Sequence, residues 1–425
     1  LGDVYKSPTG YAVMLVILYN IGLWFFYGAL LLASVFNRKA RKWIIGRKAV
    51  TRQLKKQFAG INKVMWMHCS SLGEFEQGRP LLEKFREQNP RYKILLTFFS
   101  PSGYEMRKSY ECADYVSYLP LDTWINAHKF IKAVHPQIVF FVKYDFWYHH
   151  LHQAKKSGAK LYLISALFRP KQVLFKWYGG FFRSMLRTFN KIFVQNKESE
   201  KLLQKNGFTN LIVAGDTRID RVRQIADRAK DYPVMDEFVN NSLCLICGST
   251  WANDENILEP ATRKLNKVKR IIAPHEIHES HIIEIETLFA DRRVIRYTQA
   301  DGKDMTQYDV LIIDTIGMLS SVYRYGHAAY IGGGFEDGIH NTLEAVVYGI
   351  PVVFGPNYDE FIEAVELIDL GGAISINDVA GLKAVLDNWF GNNTSRELAA
   401  EICTNYIWKQ KNASSKILSD IRSFE

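Results

Sequence analysis

From residue 61 onward the chain repeats one pattern, a short continuous apolar run followed by a longer amphipathic stretch. The runs are KVMWMH (63–68), KILLTFF (93–99), DYVSYL (114–119), QIVFFVK (137–143), KLYLISA (160–166), KIFVQN (191–196) and LIVAG (211–215). Helical spacing falls between them, at 75–88, 123–134, 146–157 and 197–206. Strands that lack polar alternation are buried on both faces, and strands that alternate with helices form a parallel sheet covered on both sides. A polar, proline-bearing stretch, DRAKDYPVMDEFVNN (227–241), interrupts the pattern. It then restarts with LCLICG (243–248), VKRIIAP (268–274), RRVIRYT (292–298), DVLIIDT (309–315), AAYIGGG (328–334), PVVFGP (351–356) and GAISI (372–376), and ends in a helical tail. The predicted fold class is α/β, with two doubly wound, Rossmann-like domains at residues 47–228 and 229–425. They are expected to face each other across a ligand cleft at the carboxyl ends of their strands, with the terminal helices free to pack back on the first domain. A length of 425 residues exceeds one ordinary core and suits two.

The chain ahead of this pattern has a different character. YAVMLVILYNIGLWFFYGALLLASVF (11–36) contains no charged residue. As a helix it would extend about 39 Å, enough to cross a bilayer with some tilt. Residues 37–60 then carry nine Lys and Arg and no acid, so nine of the ten excess positive charges of the chain lie here. A signal peptide has a shorter apolar run and a small-residue cleavage site instead of cations. Residues 1–46 are therefore predicted to be a membrane anchor with a basic juxtamembrane segment, the alternative being a helix that lies in the interface. The positive-inside rule puts the cations and both domains in the cytoplasm, at the inner membrane, where the cations suit anionic lipids. Residues 61–425 are left almost neutral, which argues against a nucleic-acid partner.

Three clusters carry candidate chemistry. The first is MHCSSLGEFEQGRP (67–80). It lacks the G-x-S-x-G of a serine hydrolase. A Cys69 nucleophile beside His68 is conceivable, but such partners are usually brought together by folding. The favoured reading is a strand to residue 67, a loop over 68–73 turned by Gly73, and a helix from about Glu74. A carboxylate at that rim can take a proton from a hydroxyl, or can simply complement the helix dipole; position alone does not choose. The second cluster is IGGGFEDGIHNTLEA (331–345), in which Gly332, Gly333 and Gly334 end a strand and His340-Asn341-Thr342 opens a helix bearing Glu344. Glycines there admit a phosphate to backbone amides, and the acid can face a ribose diol; turn glycines and an Asn341 cap are the plainer reading. The third joins Gly248, Ser249 and Thr250 of CGSTW with Pro274 and His275 of IIAPHEIHESH, two more strand-to-helix junctions suited to phosphate. His275, His278 and His281 do not have the spacing of a zinc helix, and Cys244-x-x-Cys247 sits inside a strand. No metal site is expected.

HCSSLGEFEQGRPL, DTIGML, IGGGFEDGIHNTLEA and VVFGPN, taken together and in order, resemble the Kdo transferases, the 3-deoxy-D-manno-octulosonate transferases of lipid A assembly. The resemblance covers most of residues 11–375 and includes the N-terminal anchor. It implies a GT-B fold, CMP-Kdo as donor, a lipid A precursor as acceptor, and inverting transfer with a glutamate base matched here by Glu74. By the same resemblance Ser70, Ser71 and Gly73 lie on the acceptor side. Gly248, Ser249 and Thr250 lie near the donor, and Asn341 and Glu344 near its ribose and base. The family's P-R-H segment reads PHEIH here, with His275 in the arginine's place. Its E-x-E-x-W-P reads KYDFWYH, with Lys143 for the first acid, Asp145 for the second, where it is expected to bond to a group of the acceptor, and Trp147 kept. GDTRIDR (215–221) places Arg218 where the family has lysine, to neutralise donor phosphate. CMP carries one phosphate and leaves readily, so no cofactor and no metal requirement is expected. A UDP-sugar transferase or epimerase on the same fold, or a non-catalytic nucleotide-sugar binding protein, is the alternative.

Overall fold

The computed structural model describes residues 10–143 and 145–422. The chain divides into two compact units. The first runs to Arg221 and takes in the chain again from Asn412; the second is Val222–Lys411.

The first unit opens with three helices, α1 (Gly10–Phe36), α2 (Arg38–Gly46) and α3 (Val50–Gln57). Asn37 caps α2 by accepting from the N–H groups of Lys39 and Ala40. Seven parallel strands follow: β1 (Val64–Cys69), β2 (Lys93–Phe98), β3 (Tyr115–Tyr118), β4 (Ile138–Val142), β5 (Lys160–Ala166), β6 (Lys191–Val194) and β7 (Leu211–Val213). Their order is β3-β2-β1-β4-β5-β6-β7. All six residues of β1 are buried, Val64 and Trp66 in one core and Met65, Met67 and Cys69 in the other. A strand covered on both faces has no polar side to show, which is why it reads as an apolar run. The strand order reverses between β1 and β4, where open α/β sheets bind ligands beyond their carboxyl ends. The last helix, Ala413–Arg422, belongs to this unit. It buries Ile417, Leu418 and Ile421 in the second core, and Asp220 accepts from the N–H groups of Ala413 and Ser414 at 3.2 and 2.7 Å.

The second unit carries another seven-stranded parallel sheet: β8 (Leu243–Thr250), β9 (Val268–Pro274), β10 (Val294–Arg296), β11 (Val310–Ile312), β12 (Ala328–Ile331), β13 (Val352–Phe354) and β14 (Ala373–Ser375). The order is β10-β11-β9-β8-β12-β13-β14, and the reversal falls between β8 and β12. The polar stretch before β8 contains the short helix Pro233–Val239. Both units are thus α/β sheets of the Rossmann kind, each with a switch point at the ends of two central strands.

One helix boundary differs from expectation. β1 runs on to Cys69, and α4 (Leu72–Gln88) starts two residues before Glu74. Ser71 is the cap, its hydroxyl accepting the Glu74 N–H at 3.4 Å. A serine hydroxyl at the cap satisfies a first-turn N–H, and that cap sets the start of the helix more firmly than the glycine does.

Candidate active site

Glu74 is the third residue of α4, partly buried at the carboxyl end of β1. Its carboxylate accepts the Ser70 N–H, and the Ser71 N–H also favours its charged form. Two backbone donors on a helix start normally hold a glutamate low. Here burial outweighs them, and the negative charge of Asp145 adds to it; Lys143 only partly offsets both. The result is a carboxyl group pushed up to about 7. A carboxylate can accept about four hydrogen bonds, so two caps orient Glu74 without saturating it. The capping geometry and a proton-accepting role therefore coexist.

Asp145 comes from the end of β4, across the switch point. The backbone just before it is unusual, with Lys143 at φ +60°, a left-handed conformation rare for a residue with a side chain. One Asp145 oxygen bonds to His68 Nε2 at 2.8 Å and accepts the Trp147 indole N–H at 2.8 Å. His68 is fully buried, and its Nδ1 lies 2.9 Å from the Thr97 hydroxyl, which also accepts from the Trp66 indole at 2.8 Å. Residues from β1, β2 and β4 thus fix one carboxylate beside another. Ser70 and Ser71 act through their backbone and cap, and Gly73 is exposed on the first turn of α4. Cys69 is wholly buried, and burial raises its thiol well above the ordinary range, so it is no nucleophile. Arg218 also lies in this unit, just after β7, with its guanidinium on Asp216 at 2.6 and 2.8 Å.

In the second unit the strand ends are made of backbone. The glycine amides were expected to meet phosphate, but two are already occupied. Gly332 N–H donates to the Gly248 carbonyl at 2.9 Å and Gly333 N–H to Asp254 at 2.8 Å. All three glycines are buried, and close approach explains them. A Cβ on Gly332 would stand 2.2 Å from the Ser249 carbonyl oxygen, and one on Gly334 2.6 Å from the Gly355 nitrogen. Thr250 is also turned inward, its hydroxyl donating to Glu255 at 2.7 Å. Gly248 lies against the hydroxyl end of the buried Tyr323, whose oxygen is 1.9 Å from where a Cβ would stand. Ser249 sits at φ +53° in a register shift of β8, and it remains partly open.

What is presented at this end is a set of rings and one polar pair. Trp251, at the start of helix Ala252–Thr262, stacks on His275 with centroids 4.7 Å apart. His275, exposed just beyond Pro274, stacks on His340 at 4.3 Å. The Trp251 indole donates to His340 Nε2 at 3.1 Å. Burial and the neighbouring His275 lower His340 to about 4, so it is a neutral acceptor near neutral pH. Asn341 is exposed and donates to Glu344 at 2.9 Å. The expected helix behind it is a single turn, Leu343–Val346. The sequence reading missed the roles of His68, Thr97, Trp147, Trp251 and His340. The one available signal was the company they keep: all but Thr97, which sits in a strand, lie inside or beside a motif already singled out.

Comparison with known proteins bears on the family and the fold. Residues 44–221 match the family described as 3-deoxy-D-manno-octulosonic-acid transferase (kdotransferase). The 3-deoxy-D-manno-octulosonic acid transferase of Rickettsia bellii is 25% identical over 395 residues, covering 88% of this chain and 92% of its own. That of Chlamydophila psittaci is 24% identical, with 78% of each chain covered. The structure of UDP-GlcNAc 2-epimerase from Neisseria meningitidis bound to UDP-GlcNAc superposes with a TM-score of 0.61 at 16% identity, covering 85% of this chain and all of that one. The last likeness concerns the fold, which is of the GT-B type.

Proposed function

We infer that this chain, a glycosyltransferase related to the Kdo transferases over most of its length, moves Kdo from CMP-Kdo to a hydroxyl of a lipid A precursor with inversion, using Glu74 as general base. The observation that carries the reading is the Glu74 carboxyl, oriented by two backbone donors and raised to about 7 beside Asp145. A general base works best when its pKa lies near the operating pH. As the acceptor hydroxyl attacks the anomeric carbon, its proton passes to Glu74 and the bond to the CMP phosphate breaks. Asp145, held by His68 and Trp147, lies beside Glu74, and its negative charge adds to burial in raising the Glu74 carboxyl. In the second unit the Trp251, His275 and His340 rings and the Asn341–Glu344 pair receive the nucleotide, with the open Ser249 bulge at the phosphate. Departing CMP carries a single phosphate, so the reaction is proposed to need neither metal nor cofactor.

The membrane is proposed to be the cytoplasmic face of the inner membrane, where the acceptor resides. Val13–Phe36 is long and apolar enough to cross a bilayer. Its packing favours a helix lying along the surface instead. The Tyr19 hydroxyl donates to Asp122 at 2.7 Å, and Asn20 lies 2.8 Å from His149, so mid-helix residues face the polar groups of the first unit. Trp24, Leu32, Val35 and Phe36 are exposed on α1, and Trp177 (89% exposed), Tyr178 and Phe182 add an apolar patch from the adjoining segment. Phe181 of that segment packs on Tyr19 with centroids 5.4 Å apart. Arg38, Arg41 and Lys42 line a cavity of about 480 Å³ with Phe36 and Ile45, a combination of charge and grease that suits an anionic amphiphile.

The test is incubation of the purified chain with CMP-Kdo and a lipid A precursor, with and without a chelator, followed by mass spectrometry of the lipid. A mass gain of one or more Kdo units, unchanged by the chelator, is expected. Unmodified lipid rejects the assignment, and loss on chelation rejects metal independence. Thermal stabilisation by UDP but not CMP would favour a UDP-sugar enzyme.

A further inference from the structure

The inner face of α1 does more than lie against the first unit. Tyr19, Leu23, Phe26 and Leu30 recur at a spacing of three and four, on one side of the helix, with Leu23 buried and Phe26 at the edge of the contact, 39% exposed. Leu23 is buried with Trp43 of α2 and Leu121 in a small core, against which Phe99 and Trp147 are packed. Phe26 stacks on Phe99, with centroids 6.1 Å apart and planes at 26°. Trp43 meets the same ring edge-on at 5.5 Å. Arg47 closes the grip: its guanidinium lies 3.6 Å from the Trp43 centroid and donates to the Phe99 carbonyl at 2.7 Å and the Leu119 carbonyl at 2.8 Å.

Phe99 follows directly on β2; two routes lead from it to the paired carboxylates, and a third starts at Tyr19. Phe99 stacks on Trp147 at 4.6 Å, and Trp147 donates to Asp145. The backbone next to that ring continues to the other acid. Phe99 N–H donates to the Cys69 carbonyl at 3.4 Å and Ser100 N–H to the Ser70 carbonyl at 2.8 Å, and Ser70 N–H donates to Glu74. Asp122 supplies the third route. Fully buried, it accepts from Tyr19 of α1 and from the N–H groups of His149 and His150 at 2.9 and 2.8 Å, at the start of the helix that Trp147 precedes.

We propose that the α1–α2 hairpin is a working part of the catalytic scaffold and not only a membrane tether, and that Phe26 and Tyr19 are positioning residues for the Glu74–Asp145 pair. The proposal rests on the reading of Glu74 as base. Transition-state chemistry is sensitive to sub-ångström placement, and a displaced ring stack lets both carboxylates drift. A tether has no such effect once the substrate is dispersed in micelles.

The experiment uses the full chain in detergent micelles with CMP-Kdo and a dispersed lipid A precursor. It measures kcat, KM for each substrate, and co-sedimentation with anionic phospholipid vesicles. Phe26→Ala is expected to lower kcat about tenfold or more, with KM for CMP-Kdo and vesicle binding unchanged. Phe26→Tyr, which keeps the ring, is expected to restore most of it. Phe25→Ala removes a neighbouring ring that is 76% exposed, and should match the wild type. Tyr19→Phe keeps the packing and removes one donor to Asp122; it provides the second reading if Phe26→Ala folds poorly, and a several-fold lower kcat is expected. Wild-type kcat in both Phe26→Ala and Tyr19→Phe, or losses that only track vesicle binding, overturns the proposal. A wild-type chain that transfers no sugar refutes the assignment beneath it, and an active wild type with fully active variants refutes the hairpin's role alone.

Discussion

The two units place their candidate sites at equivalent points, the carboxyl ends of the strands that flank the reversal in strand order, yet they build them from different materials. The first uses side chains that hold one another: Thr97, His68, Asp145 and Trp147 form a bonded chain beside Glu74. The second uses tight backbone, with Gly248, Gly332 and Gly334 pressed against their neighbours so that three rings and one polar pair stand at the rim. Proton transfer demands a tuned pKa, which needs charges at fixed distances. Recognition of a nucleotide demands shape, which glycine and ring planes provide. The contrast is therefore between a unit tuned by electrostatics and one tuned by sterics, and substitutions in the two should fail in different ways.

The largest effect is expected at Glu74. Glu74→Ala removes the base and should reduce transfer by roughly 10² or more, the ordinary scale of general-base loss. Binding of CMP, measured by calorimetry, should be unchanged, because the rings and the Asn341–Glu344 pair belong to the second unit. Near-wild-type turnover would leave Glu74 as a helix cap and nothing more. On the steric side, Gly332→Ala should act on stability before it acts on chemistry. Its Cβ would stand 2.2 Å from a backbone oxygen that cannot swing away. Overpacking of this kind costs about 1–3 kcal/mol, which lowers the melting temperature of a unit this size by roughly 2–12 °C. A fully stable Gly332→Ala with weakened CMP binding would instead return the glycine to a direct role at the phosphate.

How far the sequence was legible follows the same division. The fourteen strands among the described residues stand where the short runs announced them, most plainly the central ones, because a parallel strand covered on both faces has no polar side to show. Glu74 was legible because it stands where a strand gives way to a helix and inside the stretch that carries the family resemblance; the Ser71 cap beside it was not read. The tuning of Glu74 was not legible: His68 and Asp145 are 77 residues apart, and only the β1–β4 pairing brings them together. The glycine cluster was legible as a tight place but not as to what fills it. Close backbone packing and a phosphate loop demand the same residue, and only the engaged N–H groups of Gly332 and Gly333 separate them. The α1 helix shows the same degeneracy. Twenty-six uncharged residues suit a bilayer crossing and a half-docked helix alike, and the contacts of Tyr19 and Asn20 were invisible in composition.

The finest distinction between the units is in pH. If Glu74 is the base, kcat/KM for the wild type should rise with pH through about 7, as the carboxyl loses its proton. Burial is the first cause of that high value and Asp145 the second, with Lys143 opposing them. Asp145→Asn removes the repelling charge and leaves burial and Lys143 in place. Ionised Glu74 then becomes easier to form, so the acidic limb of the profile should move to lower pH by roughly one unit. Activity at the plateau should fall as well, because the amide presents a different hydrogen-bonding edge to His68 and Trp147, but the displaced limb is the diagnostic part. A limb that stays in place while the plateau drops would make Asp145 a contact for the acceptor and not the group that tunes the base. His275→Asn in the second unit provides the comparison. It disturbs the ring stack without touching either carboxylate, so the limb should not move and the change should appear in KM for CMP-Kdo.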